Sequence, residues 1–292
     1  MAHKAGFVNI IGNPNVGKST LMNALVGEKI SIITSKMQTT RHRILGILSG
    51  EEFQVVFSDS PGIIKPVYKM QEIMMKSVSS SFSDADIILY ITDVVEQYDK
   101  QSKFIARLKK VRIPVLVVIN KIDLSDRAKD LALVETWHGI LPRSEIFLIS
   151  ALHNINVSVL FGRILELLPE GPEYFPKEQI TDKSERFIVS EIIREKIMNL
   201  YKKEIPYSVE VEIESFRESE AMINIHCIIH VLREGQKAII IGQGGRALKK
   251  VGIFARQDME AFFGKKVFLG MQVKVTPGWR DNAAILRGFG YR

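Results

Sequence analysis

The amino-acid sequence predicts two domains of different fold class. Strand-like and helix-like hydrophobic patterns alternate over residues 6–167, as in an α/β domain whose mostly parallel sheet is flanked by helices. Three prolines and a glycine then fall within residues 169–176, a composition typical of a linker. Beyond it the pattern changes to α-β-β-α-α-β, which indicates a small α+β domain. The predicted boundaries are 1–168 for the first domain, 169–183 for the linker and 184–292 for the second domain.

Each predicted element rests on the spacing of its apolar residues and on the turn residues that bound it. In the first domain the predicted strands are 6–12, 43–49, 53–58, 86–92, 114–119 and 145–149, and the predicted helices are 18–27, 70–81, 98–110, 126–138 and 156–167. In the second domain the predicted order is helix 184–203, strands 207–216 and 221–231, helices 236–241 and 246–263, and strand 267–276.

Composition narrows the functional classes. A chain of 292 residues with 46% hydrophobic content can form two packed cores. It has no apolar run long enough to cross a bilayer, and its first residues lack the apolar stretch of a signal peptide. The single cysteine, Cys227, can form no internal disulfide, so we expect a reducing, cytoplasmic compartment.

The positive charge is concentrated at one end of the sequence. The whole chain carries a net charge of +7, and residues 233–292 alone contain 12 basic against 4 acidic residues. Such a segment favours a polyanionic partner, either nucleic acid or an anionic membrane surface. A solvated basic face without a partner would have the same composition.

The most specific motif is Gly-Asn-Pro-Asn-Val-Gly-Lys-Ser at 12–19, the G-x-x-x-x-G-K-[ST] pattern of a phosphate-binding loop, or P-loop. It lies between a predicted strand and a predicted helix, a context that an ordinary glycine-rich turn does not require. Lys18 is predicted to reach the β- and γ-phosphates, and the Ser19 hydroxyl to ligate Mg²⁺. The predicted phosphate-binding residues are Gly12, Asn13, Pro14, Asn15, Val16, Gly17, Lys18, Ser19 and Thr20.

Two further segments complete the predicted phosphate and metal site. Asp59 begins an Asp-Ser-Pro-Gly motif at a strand end, where its carboxylate can hold Mg²⁺ through water and Gly62 can turn its N–H toward a γ-phosphate. A threonine between the P-loop and Asp59 can close on Mg²⁺ only when a γ-phosphate is present, which makes the segment a switch. We predict Thr40 for this role rather than Thr39.

A third strand-end motif, Asn-Lys-Ile-Asp at 120–123, predicts guanine specificity. The Asp123 carboxylate can accept from both N1–H and the N2 amine of guanine, whereas adenine offers no donor at those positions. Asn120 is predicted to bind N7 and to tie the base loop to the P-loop, and the Lys121 stem to cover the ring. Ser150 and Ala151 end another strand, and the Ala151 N–H is predicted to donate to guanine O6. Together the four ordered motifs predict a GTPase.

The second domain has a Gly-Gln-Gly-Gly turn at 242–245 between two predicted helices. In an α-β-β-α-α-β unit, a G-x-x-G turn is how a KH module clamps a single-stranded nucleic-acid backbone. A helix-ending glycine followed by a turn is the structural alternative. The predicted RNA-binding residues are Gly242, Gln243, Gly244, Gly245, Arg246, Lys249 and Lys250.

Over nearly its whole length the sequence resembles the bacterial Era family of GTPases. The resemblance is carried by the motifs described above, together with Gln-Thr-Thr-Arg-His-Arg at 38–43, Leu-Pro-Glu-Gly-Pro at 168–172, Gly-Trp at 278–279 and Gly-Tyr at 290–291. It implies a GTP-binding domain joined to a type II KH domain. It also implies binding of small-subunit ribosomal RNA near its 3′ end and of the 30S precursor, a role in subunit maturation, and peripheral contact with the cytoplasmic face of the inner membrane. The family usually has lysine where this chain has Gln243, and Arg246 can replace that contact.

The predicted reaction is hydrolysis of GTP to GDP and phosphate, with Lys18, Thr40, Gly62 and Asn15 as the predicted catalytic residues. Ile63 occupies the position where many GTPases carry a water-orienting glutamine, so we expect slow intrinsic hydrolysis. Asn15 is a candidate ligand for K⁺, a role found in GTPases with a similar loop, or it only stabilises the loop turn.

Two alternative functions remain open from the sequence. A tRNA-modifying GTPase would need a catalytic cysteine or a further cofactor site. A membrane-associated signalling GTPase without an RNA role would need an amphipathic anchor or a lipidation motif.

Overall fold

The computed structural model of this chain describes residues 2–96 and 103–291. The chain divides into two compact units. The first consists of Met1–Ser31, Thr40–Lys65 and Met74–Asp182, and the second of Ile32–Thr39, Pro66–Ile73 and Lys183–Arg292. The sequence did not predict that the two short segments 32–39 and 66–73 group with the second unit.

The first unit has the alternating order that its hydrophobic pattern predicts. Its strands are β1 (Lys4–Gly12), β2 (Ile44–Ser49), β3 (Phe53–Asp59), β4 (Ile87–Asp93), β5 (Val115–Asn120) and β6 (Glu145–Leu148). Its helices are α1 (Lys18–Val26), α2 (Lys69–Ser80), α3 (Lys103–Leu108), α4 (Arg127–Ile140) and α5 (Val157–Leu167), and α2 begins in the segment that groups with the second unit. Part of the predicted helix 98–110, residues 98–102, lies outside the described residues.

These strands form a six-stranded sheet in the order β2-β3-β1-β4-β5-β6, in which only β2 runs antiparallel to its neighbour. Helices cover a mostly parallel sheet on both faces, so its central strands must be apolar along their whole length. Strand β4 is buried at every residue, as is β5 from its second residue onward. The carboxyl ends of the parallel strands meet at one edge, which is where such sheets bind ligands.

The predicted linker, residues 169–183, forms hydrogen bonds with strands of the first unit. The backbone N–H groups of Tyr174 and Phe175 donate to Gln54 Oε1 at 2.7 and 3.0 Å. The Leu45 N–H donates to Asp182 Oδ1 at 2.9 Å. Because these bonds satisfy a buried amide side chain and the β2 edge, the segment through residue 182 belongs to the first unit.

The second unit is built on the predicted α-β-β-α-α-β order. Its helices are α6 (Glu185–Leu200), α7 (Ile205–Ser208), α8 (Glu234–Ile241), α9 (Arg246–Phe263) and α10 (Ala283–Gly288), and its strands are β7 (Glu210–Glu218), β8 (Met222–Val231) and β9 (Lys266–Val275). The sheet order is β7-β8-β9, with β7 antiparallel and β9 parallel to β8. Helices α7 and α10 were not predicted, because four and six residues are too few to show a helical period.

One face of this sheet packs against α6, α8 and α9. Alternate β8 residues (Ile223, Ile225, Cys227, Ile229 and Val231) are buried in a single cluster with residues of all three helices. The opposite face is partly covered by the C-terminal segment, since the Tyr291 hydroxyl donates to Glu210 Oε2 at 2.7 Å and the Phe289 and His230 rings lie 4.8 Å apart.

The segment 32–39 belongs to the second unit through hydrogen bonds with α6. Arg194 is buried and donates to the carbonyl oxygens of Gln38 and Thr39. The Ile33 N–H donates to Glu195 Oε1 at 3.2 Å. Segment 66–73 joins the same unit near the C-terminus, where the Lys69 N–H donates to Asp281 Oδ1 at 3.2 Å.

Candidate functional site

The P-loop closely follows β1 and depends on its glycines. A Cβ at Gly12 would lie 2.2 Å from the Ile91 carbonyl oxygen, and one at Gly17 would lie 2.2 Å from Asn120 Nδ2. Gly17 also has a φ of 96°, in the left-handed region that favours glycine. These approaches bring the loop against strands β4 and β5. Helix α1 starts at the end of the loop, so the N-terminal amides of α1 face the loop and form an anion site.

Lys18 lies inside the loop. Its Nζ donates to the carbonyl oxygens of Gly12 at 3.1 Å and Asn13 at 2.7 Å. Burial lowers the pKa of its ammonium group to about 8, and Asp59 opposes that shift. Phosphate oxygens next to the ammonium group would stabilise its charged form, so the residue is suited to bind a triphosphate.

Three oxygen-bearing side chains converge beside the P-loop. The Ser19 hydroxyl donates to Asp59 Oδ2 at 2.6 Å and lies 2.9 Å from Thr40 Oγ1, which is 3.2 Å from the same Asp59 oxygen. Asp59 Oδ1 is buried and accepts no hydrogen bond from the residues that the structure describes. Burial raises the pKa of this carboxyl group. A hard cation would bind Asp59 Oδ1 and would favour the charged carboxylate despite its burial. The three residues therefore fit Mg²⁺.

The structure separates the two threonines of the switch segment. Thr40 is buried in this oxygen cluster. Thr39 instead donates its hydroxyl to the Lys36 carbonyl oxygen at 2.7 Å and lies 2.7 Å from Thr34 Oγ1. The geometry therefore gives Thr40 the position that a Mg²⁺ ligand needs.

Gly62 lies directly against the P-loop. A Cβ at this position would be 2.8 Å from the Pro14 backbone, so only glycine allows this approach. The next N–H, of Ile63, donates to the Gly12 carbonyl oxygen at 3.1 Å, and the Ile63 side chain packs at the edge of an apolar cluster. An alkyl group in that position cannot orient a water molecule by hydrogen bonding.

Asn120 ties the base loop to the P-loop, as predicted. Its Nδ2 donates to the Val16 carbonyl oxygen at 2.8 Å, and its Oδ1 accepts the Ala151 N–H at 2.9 Å. The Ala151 N–H was predicted to donate to guanine O6, and that contact stays a prediction. In this structure the N–H holds the loop after buried Ser150 against the Asn120 side chain.

Asp123 lies in a short 3₁₀ turn, Ile122–Leu124, that follows β5. Its Oδ2 is 3.7 Å from Nε2 of His153, an exposed residue of the loop after β6. The loop after β5 and the loop after β6 therefore approach each other at Asp123. Sequence reasoning missed His153, since a lone histidine on a loop has no distinguishing pattern.

Lys121 links the base loop to two neighbours. Its Nζ donates to the Asn15 carbonyl oxygen at 2.7 Å and forms a 2.5 Å ion pair with Asp93 Oδ2. Asp93 was missed, although its place at the carboxyl end of buried strand β4 was a usable signal. Because Asp93 fixes the ammonium end, the Lys121 stem spans from the base loop toward the P-loop.

The Gly-Gln-Gly-Gly turn joins α8 to α9 in the second unit. Gly242, Gly244 and Gly245 have φ angles of 69°, 58° and 76°, which other residues rarely adopt. A Cβ at Gly244 or Gly245 would meet nothing within 4 Å, so the turn is open on that side. The side chains of Gln243 and of the nearby cations Arg246, Lys249 and Lys250 are exposed. This arrangement presents backbone and positive charge to a phosphate chain.

Comparisons with protein families agree with this division of the chain. Residues 7–121 match the family described as "50S ribosome-binding GTPase", and residues 204–280 match the KH domain family. The curated relatives include GTPase Era of Thermoanaerobacter sp. (strain X514) and of Thermoanaerobacter pseudethanolicus. Each is 44% identical over 294 residues, which cover 100% of this chain and 97% of the relative. The chain belongs to the Era family of GTPases.

Two solved structures of Era proteins match the whole chain. One is a crystal structure of Era with MgGDPNP and nucleotides 1506–1542 of 16S ribosomal RNA. The other is a tyrosine-to-alanine variant of Aquifex aeolicus Era bound to GDP and AlF4⁻. Each has a TM-score of 0.94 and 41% identity, and each covers 99% of both chains. As an Era-family member the chain is a GTPase that uses GTP, GDP and Mg²⁺, with a C-terminal KH domain.

Proposed function

We propose that this chain binds small-subunit ribosomal RNA near its 3′ end, through its KH loop, and assists maturation of the 30S precursor. The observation that carries the proposal is the full-length match to the Era structure that holds nucleotides 1506–1542 of 16S ribosomal RNA. The family description that mentions the 50S ribosome matches only residues 7–121. It therefore does not reach the KH unit, which is the part that would choose the RNA.

The hydrolytic chemistry follows from the residues of the nucleotide site. The Lys18 ammonium group and the P-loop amides would bind the β- and γ-phosphates, and the Gly62 N–H would face the γ-phosphate. Mg²⁺ bound by Ser19, Thr40 and, through water, Asp59 would neutralise charge on the phosphate oxygens. Since Ile63 cannot orient the attacking water, hydrolysis by the isolated chain would be slow.

The tRNA-modifying alternative gains no support from Cys227. A thiolate-using enzyme would need a reactive cysteine, whereas Cys227 is 2% exposed and burial raises its pKa to about 12. Within residues 2–96 and 103–291, no helix combines the length and apolar composition of a membrane span. The cytoplasmic location and the peripheral contact with the inner membrane stay predictions.

In-cell crosslinking followed by RNA sequencing tests the proposed partner. We expect reads concentrated at the 3′ end of small-subunit ribosomal RNA, because the KH loop selects single-stranded segments. A variant with aspartates at Gln243 and Gly244 should lose that enrichment and serves as the control. Reads spread evenly over unrelated transcripts would contradict the ribosomal assignment.

A monovalent-ion effect is the second testable part of the mechanism. If the Asn15 side chain holds K⁺ at the phosphates, GTP hydrolysis will be faster in KCl than in NaCl at matched ionic strength. Asn15 has a φ of 65°, a conformation that asparagine adopts more readily than most residues, so the turn interpretation also fits. A phosphate-release assay in the two salts measures the difference.

Two variants separate these interpretations. Asn15→Ala should remove the salt difference and keep most of the GTP affinity. Asn15→Gly retains the left-handed backbone but lacks the side-chain oxygen, so it should also lose the difference if K⁺ is bound. Equal rates in KCl and NaCl for the native chain would rule out the K⁺ site and leave the turn role.

A further inference from the structure

The sheet of the second unit has an open half on the face that points away from its helices. Successive strand residues point to opposite faces, so the residues between the buried β8 and β9 positions lie on this outer face. The C-terminal segment covers the end of the face that holds Glu210 and His230. The opposite end, around His226 and Phe268, remains exposed.

Two rings lie side by side in this open half. Phe268 is 48% exposed, and its ring centroid is 5.6 Å from that of the exposed His226, at an interplanar angle of 54°. His226 pairs with Gly270 on β9. A Cβ at Gly270 would lie 2.5 Å from His226 Nδ1, so the imidazole occupies the space that a side chain would need. The glycine therefore lets both rings lie on the sheet surface.

The residues around the rings are polar or basic. Arg217 pairs with Asn224, and Asn224 pairs with Phe268, so all three point to the outer face. Lys266 lies two positions before Phe268, its side chain is 80% exposed, and its Nζ forms a 3.9 Å ion pair with Glu260 Oε2 of α9. We define the His226–Phe268 surface as these two rings with the flanking residues Arg217, Asn224 and Lys266.

Carboxylates at the margins of this surface have basic partners. Glu218 forms an ion pair with Lys265, and Glu212 Oε2 lies 2.9 Å from His230 Nε2. Glu214, which also lies on β7, is exposed next to the β7 bulge. The surface itself contributes cations, amide groups and aromatic faces, the combination that binds single-stranded nucleic acid through its phosphates and bases.

The position of β9 connects this surface to the KH loop. Strand β9 is an edge strand of the sheet, and both helices that flank the loop pack against it. A G-x-x-G loop clamps about four nucleotides. A longer strand that leaves the loop along β9 can pass around the sheet edge and reach Phe268 on the outer face.

We propose that the His226–Phe268 surface is a second RNA subsite, on which bases of a single strand stack after it leaves the KH loop. The Arg217 and Lys266 side chains bind the neighbouring phosphates, and the Asn224 amide contacts base edges. The subsite rests on the proposed RNA binding and extends the bound segment beyond the clamped nucleotides.

The test compares RNAs of two lengths by competition binding. The probes are a 16S 3′-end RNA of about twelve nucleotides and a fragment of about four that fills only the loop. We expect Phe268→Ala combined with His226→Ala to weaken the longer RNA by about 5- to 100-fold, since stacking contributes about 1–3 kcal/mol per base. Binding of the short fragment should not change.

A matched control keeps the result interpretable. Phe262→Ala removes a phenyl ring of 41% exposure from α9, away from the surface, and should leave both RNAs unaffected. Phe268→Tyr, with His226 unchanged, retains a stacking ring and should keep the native affinity for the longer RNA.

Three results would overturn the subsite. The first is an unchanged affinity of the double variant for the longer RNA, and the second is an equal loss of affinity for both RNAs. The third is a loss of binding seen only with whole 30S subunits, which would assign the surface to a protein. The native chain's affinity for the longer RNA separately tests the proposed function.

Discussion

Replacing Asp123 with asparagine is expected to change the base preference of the site from guanine to xanthine. The variant loses two charge-assisted hydrogen bonds to the guanine edge, each worth about 1.5–3 kcal/mol, so GTP should bind about 10²- to 10⁴-fold more weakly. Xanthine carries an oxygen where guanine carries the N2 amine, and the new amide can donate to it. Competition binding of GTP against xanthosine triphosphate measures the change.

Asp126→Asn is the matched control for this experiment. Asp126 lies three residues further along, and its side chain caps α4 by accepting the Lys129 N–H at 2.9 Å. Asparagine caps helices as well as aspartate, so the control makes the same charge change without loss of the cap. It should keep the preference for GTP. An Asp123→Asn variant that also prefers GTP would show that another residue selects the base.

Aspartates at Gln243 and Gly244 are expected to abolish RNA binding and to leave GTP binding intact. Two carboxylates would face the phosphates in the turn, and like charges in contact cost several kcal/mol, so affinity should fall by at least about 100-fold. The space at Gly244 is open, and its φ of 58° strains an aspartate by only about 1–2 kcal/mol. Filter binding at fixed salt and nucleotide titration measure the two affinities.

The other end of α9 provides a control with the same residue types. Gln257 is exposed, and Gly264 ends the helix with a φ of 66° and open space at its Cβ position. The pair Gln257→Asp and Gly264→Asp therefore matches both the added charge and the backbone strain. Because Gly264 lies two residues before Lys266 of the His226–Phe268 surface, this control is measured with the fragment of about four nucleotides that fills only the loop. If the control lost binding of that fragment to the same extent, net charge rather than the turn would explain the effect.

Much of the nucleotide site could be predicted because its motifs follow strands. An apolar run followed by a polar motif locates the carboxyl end of a strand, and parallel strands bring those ends together. This argument predicts that Asp59 and Asn120 lie next to the P-loop. Gly12 and Gly17 could be predicted for a different reason, because a close approach of the backbone to its neighbours requires glycine.

The remaining features depend on contacts between residues distant in sequence. The Asp93–Lys121 ion pair and the bond from Ala151 N–H to Asn120 depend on exact strand register, which periodicity does not specify. The His226–Phe268 pair depends on which β9 residue lies opposite His226. Each residue in isolation has an ordinary pattern, so the sequence alone could not reveal these contacts.

The membership of segment 32–39 in the second unit bears on how such a protein can evolve. A genetic exchange that moved residues 183–292 as one block would separate Arg194 and Glu195 from the backbone groups of Thr39 and Ile33 that they bind. Both residues are at most 3% exposed. A buried backbone group that loses its hydrogen bond in this way and finds no other partner costs about 1–3 kcal/mol. Recombination at residue 183 is therefore expected to destabilise the second unit, and we expect the two parts of the chain to be inherited together.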